Sequence, residues 1–196
     1  MSQFLGPIHY WLYNKIENQE NLTKSLEEYG KNQEWIAEES QWTKEFPPLE
    51  SAIDEGDIHG WLQEEVRNGE IRWAKLVTEL IKEDESRWEE IKEVAYDFGV
   101  RHPFEEDENP EAIYRQMENF FVNGMPCDHV NMVMESNPQG IMWKQTQDLH
   151  KEYWREVGGD PKQYYTLREN VIEGMLSNTG YTLENVDVDL YRLAKK

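Results

Sequence analysis

The sequence predicts an all-α protein, an antiparallel up-and-down bundle of four core helices with one or two additional helices. Apolar residues recur three and four positions apart along most of the chain, which places them on one face of a helix. No stretch shows the sustained alternation of apolar and polar residues that is typical of a half-buried strand. Prolines and glycines divide the chain into segments of helical length. We therefore expect a single helical-bundle domain over residues 1–196.

The first predicted helix covers residues 7 to about 30. Pro7 suits its first turn, because the N–H that proline lacks would have no partner there. One face of this helix is formed by Leu5, His9, Leu12 and Ile16. An irregular amphipathic stretch follows and stops at Pro47 and Pro48. A second helical region then runs from residues 48–54 to Gly99, either as one helix or as two that separate near residues 83–86.

Further helices are predicted in the remaining chain, separated by loops and turns. Residues 100–110 are expected to form a loop, and Asn109 before Pro110 is typical of a helix N-terminus. Later helices are predicted at about 140–156 and from 160 to about 176. A short apolar segment, residues 130–134, precedes a turn at 137–140, and the tail from 181 to 196 has room for a short terminal helix.

A segment near the N-terminus recurs 50 residues later. Residues 6–20 and 56–70 share seven identical positions, namely Gly6, Ile8, His9, Trp11, Leu12, Asn18 and Glu20 with their counterparts. A match at a fixed offset is evidence of internal repetition. We interpret it as a repeated helix, with chance similarity in a biased composition as the alternative. It places His9 and His59 at equivalent positions on the apolar faces of two helices.

Composition restricts the classes of partner. Forty acidic and twenty basic residues give a formal net charge of −20, which argues against nucleic acid and anionic membrane surfaces. The sequence contains no apolar run near eighteen residues and no N-terminal secretory signal, so we expect a cytoplasmic protein. Cys127 is the only cysteine, which rules out an intramolecular disulfide, a c-type haem attachment and a cysteine-ligated iron–sulfur cluster.

Four histidines occur in apolar or structured segments and are the candidate metal ligands. They are His9, His59, His129 and His150, with Cys127 as an added thiolate ligand. They come from separate segments, and helical bundles build metal sites from facing helices in this way. Neutral imidazole is the commonest transition-metal ligand in proteins. The competing interpretation is that each histidine is a hydrogen-bonded core residue and that Cys127 is a small buried hydrophobe.

Three tryptophans lie near these histidines and are candidates for the wall of the site. Trp11 and Trp61 each follow a candidate histidine by two residues, and Trp154 lies one turn after His150. Large rings would exclude water from a metal centre. The carboxylates near the histidines in sequence are Asp128, Asp148 and Glu135, and the sequence does not decide whether any of them joins the site.

Two functional hypotheses follow. The first is a metal-binding protein that holds zinc, iron, copper or nickel, with hydrolytic or redox chemistry on a small molecule if a coordination position stays open. A b-type haem held by His9 and His59 is a variant of this hypothesis. The second is an interaction or structural module without a metal. The Glu-x-x-His di-iron motif and the His-Glu-x-x-His zinc motif are absent around these histidines, so neither mechanism can be transferred. The sequence leaves the oligomeric state open.

Overall fold

The computed structural model describes residues 4–105 and 109–196. It corrects the predicted fold class, because the chain is 55% helical and also contains a four-stranded antiparallel sheet, so the fold is mixed α and β rather than all-α. The helices are α1 (Pro7–Asn32), α2 (Leu49–Ala52), α3 (Ile58–Lys82), α4 (Trp88–Val100), α5 (Pro110–Phe120), α6 (Lys151–Glu156) and α7 (Pro161–Met175). The strands are β1 (Asn131–Asn137), β2 (Gly140–Gln145), β3 (Tyr181–Asp187) and β4 (Leu190–Lys195).

The two segments of the sequence repeat form the first turns of α1 and α3, which lie side by side and run in the same direction. The rings of His9 and His59 meet at one end of the pair, 5.7 Å apart between centroids. Leu80 packs beside Gly30 at the other end. Equivalent positions of the repeat therefore face each other across a parallel helix pair, whereas an up-and-down bundle would make neighbouring helices antiparallel.

A parallel pair requires the intervening chain to return along its whole length. Residues 33–57 do this as an extended segment, which contains only the one-turn helix α2. The segment is fixed to α1 along its path, since Thr43 donates a hydrogen bond to Glu27 and the Tyr13 hydroxyl donates to the carbonyl of Pro47. The irregular pattern of residues 33–48 in the sequence corresponds to this non-helical connection.

The sheet is built from two hairpins in the order β1-β2-β4-β3. Each hairpin has a two-residue loop, at residues 138–139 and 188–189. The inner strands pair Ile141 with Leu193 and Trp143 with Tyr191. These residues share one face of the sheet, and Tyr114 of α5 packs against Trp143 on that face. The covered face of the sheet thus joins the main hydrophobic core.

The C-terminal half contains a second repeat that the sequence analysis missed. The first hairpin spans residues 131–145 and the second spans 181–195, 50 residues later. Positions 141 and 143 of the first hairpin therefore correspond to 191 and 193 of the second, and the pairs Ile141–Leu193 and Trp143–Tyr191 are equivalent to each other. The two hairpins are thus related by a local two-fold axis. Helices α5 and α7 precede their hairpins and match at an offset of 51, at Pro110 and Pro161, Tyr114 and Tyr165, Glu118 and Glu169, and Asn119 and Asn170. The half is therefore two copies of a helix–hairpin unit.

Two sequence predictions are wrong at this sheet. The predicted helix at 140–156 is strand β2 followed by the short helix α6, and the tail, where a short terminal helix was expected, forms the hairpin β3–β4. The apolar segment 130–134, for which no element was predicted, lies mostly in β1, and the turn predicted after it is the turn of the first hairpin. The outer strands are largely exposed on both faces. The inner strands alternate in burial over only a few residues, and Met142 is apolar although it lies on the less buried face, so the sequence does not show the sustained alternation by which a half-buried strand is recognised.

Other boundaries agree with the sequence analysis. Helix α5 begins at Pro110 with Asn109 capping the amide of Ala112, and α7 begins at Pro161 after Asp160. The second helical region separates near residues 83–86, where a 3-10 turn, Glu85–Arg87, divides α3 from α4. Of the acidic run in the predicted loop, residues 106–108 lie outside the described residues. Across the described ranges, every helix is too short or too polar to span a bilayer.

Candidate functional site

The His9 and His59 pair lies at the N-terminal ends of the two parallel helices. His9 is buried and its Nδ1 accepts a hydrogen bond from the backbone N–H of Gly6 at 2.9 Å, whereas His59 is exposed. The first amides of a helix lack intrahelical hydrogen-bonding partners. The Nδ1 of His9 therefore serves as a hydrogen-bond acceptor at the N-terminus of α1. The two rings meet at 5.7 Å between centroids, and His9 has a structural partner that the sequence did not indicate.

Cys127 and His129 lie on the segment between α5 and β1. Pro126–Asp128 forms a 3-10 turn, and His129 follows it with a left-handed backbone, φ 47°. Both side chains are exposed. Cys127 is therefore not the buried hydrophobe of the competing interpretation.

His150 lies in a different environment, in the protein interior. It precedes α6, and its ring stacks on Tyr164 of α7 with centroids 3.6 Å apart. Its Nδ1 lies 3.1 Å from Oε1 of Glu70, which projects from the middle of α3. Both side chains are only 1% exposed. In the sequence, Glu70 is distinguished only by its match to Glu20 in the repeat, which gives no sign of a site residue.

The hydrogen bonding of this pair is incomplete. His150 Nδ1 and Glu70 Oε1 are at ion-pair distance but are poorly aligned for a hydrogen bond, so neither carboxylate oxygen of Glu70 has a hydrogen-bonding partner, and neither does Nδ1. The other ring nitrogen, Nε2, lies 3.3 Å from Oδ1 of Asn123. Buried polar atoms are usually satisfied, and exceptions in a native protein often mark a functional site.

A cleft of about 240 Å³ opens onto this pair. Besides Glu70 and His150, it is lined by Gln63, Val66, Gly124, Met125, Asp128, Leu149 and Tyr153. The wall thus combines apolar side chains with two carboxylates, an imidazole and a phenol. Pockets for drug-sized ligands enclose about 300–1,000 Å³, so this cleft suits a smaller molecule.

The charge of Glu70 affects the pKa values of two neighbouring tyrosines. Burial raises the pKa of Tyr153, and the charge of Glu70 raises it further. Burial likewise raises the pKa of Tyr164 well above its ordinary value, again with a contribution from Glu70. Both phenols therefore remain neutral and able to donate hydrogen bonds at neutral pH.

The candidate tryptophans are distributed over both regions. Trp154 is fully buried and packs against Trp73 and Tyr164, behind the His150 pair. Trp11 and Trp61 are half-buried in the region of His9 and His59, and the Trp11 indole donates a hydrogen bond to Asn119. The three rings do not enclose a common centre.

The structure also shows where the three carboxylates near the histidines in sequence lie. Asp128 lines the cleft while its Oδ2 accepts the backbone N–H of Met125 at 2.7 Å. Asp148 accepts the backbone N–H groups of His150 and Lys151, so it fixes the start of α6. Glu135 lies on β1 and accepts a hydrogen bond from Asn137. Only Asp128 lies at the cleft.

Comparison with known proteins identifies no relative. No family model, curated protein or solved structure matches the chain at a significant level. The function must therefore be argued from the site itself.

The potential metal ligands of the protein are dispersed. Within residues 4–105 and 109–196, no three histidine, cysteine, aspartate or glutamate side chains are grouped so that they could hold a metal ion. The four histidines thus do not form one centre. His9 is paired with His59, and His150 is paired with Glu70.

Proposed function

We propose that the protein binds a small molecule in the cleft at Glu70 and that the Glu70–His150 pair exchanges a proton with it. The observation that carries this proposal is a fully buried carboxylate whose two oxygens lack hydrogen-bond donors at the base of an open cleft. Burying a carboxylate in this way is costly for stability, and stability is often sacrificed in this way at functional sites.

The geometry supports acid–base chemistry because the Glu70 carboxylate and His150 Nδ1 are two neighbouring proton acceptors without hydrogen-bonding partners at the base of the cleft. With Asn123 Oδ1 accepting from Nε2, a neutral His150 presents its lone pair at Nδ1 toward Glu70. Either acceptor can then take a proton from a ligand that enters the cleft and return it. Proton transfer by positioned side chains of this type contributes about 10²–10⁴-fold to enzymatic rates.

Ligand-observed NMR with a mixture of small polar metabolites tests the proposal. We expect at least one compound to bind the wild type and to lose at least tenfold in affinity in Glu70→Gln and in His150→Gln. Glu64→Gln is the matched control, because Glu64 is an exposed residue of the same helix. Compounds that bind all four proteins equally, or a mixture without any ligand, would contradict the proposal.

A second candidate is a transition-metal ion held by His150 and Glu70. It is favoured by one observation, namely that an imidazole nitrogen and a carboxylate oxygen lie 3.1 Å apart without hydrogen-bonding partners. Zinc, iron, copper and nickel all accept this donor combination. Water or a substrate would complete the coordination sphere.

Cobalt(II) titration tests this candidate, because the visible absorption spectrum of the ion changes with the atoms that coordinate it. Binding that is lost in His150→Gln and kept in the double variant His9→Ala/His59→Ala would support the metal at the cleft. Loss in the double variant alone would instead assign the metal to the predicted pair of histidines. Absence of cobalt binding to the wild type would remove the metal candidate.

A further inference from the structure

We infer that the ligand of the cleft carries a primary ammonium group on a short alkyl chain. This inference rests on the proposed function, since it names the chemical class of the ligand for the same site. It is argued from three properties of the cleft, namely its charge, the hydrogen-bonding character of its base, and the size and polarity of its walls.

The charge of the cleft is negative and has no matching cation. Glu70 and Asp128 are among its lining residues, and no lysine or arginine is found among the described residues of its wall. Arg67 lies close enough to influence Tyr153, but both oxygens of Glu156 accept hydrogen bonds from its guanidinium at 2.9 Å. An anionic ligand would therefore meet repulsion, whereas a cation would be attracted.

The base of the cleft, formed by Glu70 and His150, presents acceptors, and neither the Tyr153 phenol nor the Gln63 amide of the wall donates a hydrogen bond to them. Both oxygens of Glu70 and the Nδ1 of His150 are buried without hydrogen-bonding partners. An ammonium group has three N–H donors and no acceptor, so one group satisfies up to three such atoms at once. A hydroxyl has a single donor and would leave two of these three acceptors unsatisfied. Unsatisfied buried groups are costly, which makes this difference a basis for selectivity.

The walls select for a short alkyl chain. Val66, Met125 and Leu149 contribute apolar surface beside the acidic base, and the ring of Tyr153 adds an aromatic wall. The volume of about 240 Å³ leaves room for several non-hydrogen atoms but not for a drug-sized molecule. A cation close to an aromatic ring gains further electrostatic attraction.

Three isosteric probes test the inference. Propylammonium, propanol and propionate differ mainly in the group that would meet Glu70, and their binding can be measured by saturation-transfer NMR and by chemical-shift changes of the protein. We expect propylammonium to bind in the millimolar range and at least tenfold more tightly than propanol, with no binding of propionate. Glu70→Gln should reduce its affinity at least tenfold, and Glu64→Gln should leave it unchanged.

The possible failures are distinguishable. Equal binding of propylammonium and propanol, or preferred binding of propionate, would overturn the ammonium inference. So would absence of propylammonium binding to a folded wild-type protein. If a neutral or anionic metabolite then bound in a Glu70-dependent way, the proposed function would stand without the ammonium inference. If no compound of any charge bound in a way that depends on Glu70, both the proposed function and the ammonium inference would be wrong. Circular dichroism of Glu70→Gln verifies that the variant is folded before its affinity is interpreted.

Discussion

Glu20 and Glu70 occupy equivalent positions on the two parallel helices, but Glu20 is paired with Arg72 whereas Glu70 faces His150. Glu20 accepts three side-chain hydrogen bonds from Arg72, at 2.7, 3.0 and 3.2 Å, and a fourth from the backbone N–H of Lys44 at 2.8 Å. Both carboxylates are buried, yet only the second opens onto the cleft. The same residue type is therefore structural in one copy of the repeat, and in the other it has the properties of a ligand-binding group.

This difference predicts opposite effects of the same substitution. Glu20→Gln should reduce the free energy of unfolding by about 2–4 kcal/mol, because it leaves the Arg72 guanidinium half-buried without its carboxylate. Glu70→Gln should change it by less than about 1 kcal/mol, or increase it, because a neutral amide costs less to bury than a carboxylate without donors. Urea denaturation at neutral pH measures both. A larger loss for Glu70→Gln than for Glu20→Gln would identify Glu70 as a structural residue.

Helices α4 and α7 are in close contact because each has a glycine at the crossing. A Cβ added to Gly99 would overlap the carbonyl oxygen of Val171, and one added to Gly174 would overlap that of Tyr96. Backbone atoms cannot move aside without separating the helices, so we expect Gly99→Ala and Gly174→Ala each to destabilise the protein by about 2 kcal/mol or more. Thermal unfolding measures the loss.

Gly69 provides the matched control for these glycines. It lies in the interior of α3, and an added Cβ would make only ordinary contacts, with the Gln19 amide nitrogen at 3.7 Å and an Arg72 guanidinium nitrogen at 3.9 Å. Alanine is the better helix former, so Gly69→Ala should raise the free energy of unfolding by about 0.5–1 kcal/mol. Similar destabilisation by all three substitutions would mean that the α4–α7 contact is not especially close.

Lys15 predicts a pH dependence of stability. Its side chain is buried, with Nζ 4.0 Å from the Trp11 ring, and burial lowers its pKa from 10.5 to about 8. Between these two values the unfolded chain binds more protons than the folded protein, so this residue makes stability rise with pH from about 8 to 10.5. Below pH 8 the full cost of burying the charge is present.

Lys15→Met should remove this dependence. The variant should exceed the wild type in unfolding free energy by about 2–3 kcal/mol at pH 7, and the advantage should vanish as the pH approaches 10.5. Urea denaturation of both proteins across this range measures the difference and cancels the titration of other groups. Lys24→Met, at a half-exposed lysine of the same helix, should show no such trend. A constant difference between wild type and Lys15→Met at all pH values would contradict the prediction.

Arg168 is a buried cation held mainly by aromatic rings. Its guanidinium lies 5.3 Å from the ring of Tyr165 and 5.2 Å from that of Tyr191. A lysine ammonium is more strongly hydrated and cannot stack as a plane, so Arg168→Lys should destabilise the protein by about 1–3 kcal/mol. Arg192→Lys on the exposed part of β4 should change stability by less than about 0.5 kcal/mol. Equal effects in thermal unfolding would show that the stacking contributes little.

Local signals identified most helices correctly. Pro7, Asn109 before Pro110 and Asp160 before Pro161 marked helix starts, because capping and the missing proline N–H act within one turn. The strands were missed since their burial depends on which neighbours cover them. The repeat of the helix–hairpin unit was present in the sequence, but the matching residues are scattered at an offset of 51 rather than contiguous.

The candidate site was predictable only in part. His150 was selected because it lies in a structured segment with Trp154 one turn away, and the structure places it beside the cleft. Glu70 was one of forty acidic residues, and its only distinction in the sequence was its match to Glu20. The histidines were expected to converge, but His9 and His59 are fixed at the start of the parallel helices while His150 is set by α6 and α7.

The sequence by itself determined the long helices, the start of α1 and the equivalent positions of His9 and His59, because periodicity, capping and repetition act locally or between similar segments. Only the tertiary structure decided that α1 and α3 run parallel, that the two hairpins form one sheet, and that Glu70 meets His150. The physical reason is that these contacts join residues far apart in the chain. The packing of the helices decides that Glu20 pairs with the Arg72 guanidinium whereas Glu70 faces an open cleft. The identity of the residue, glutamate in both cases, does not encode this difference.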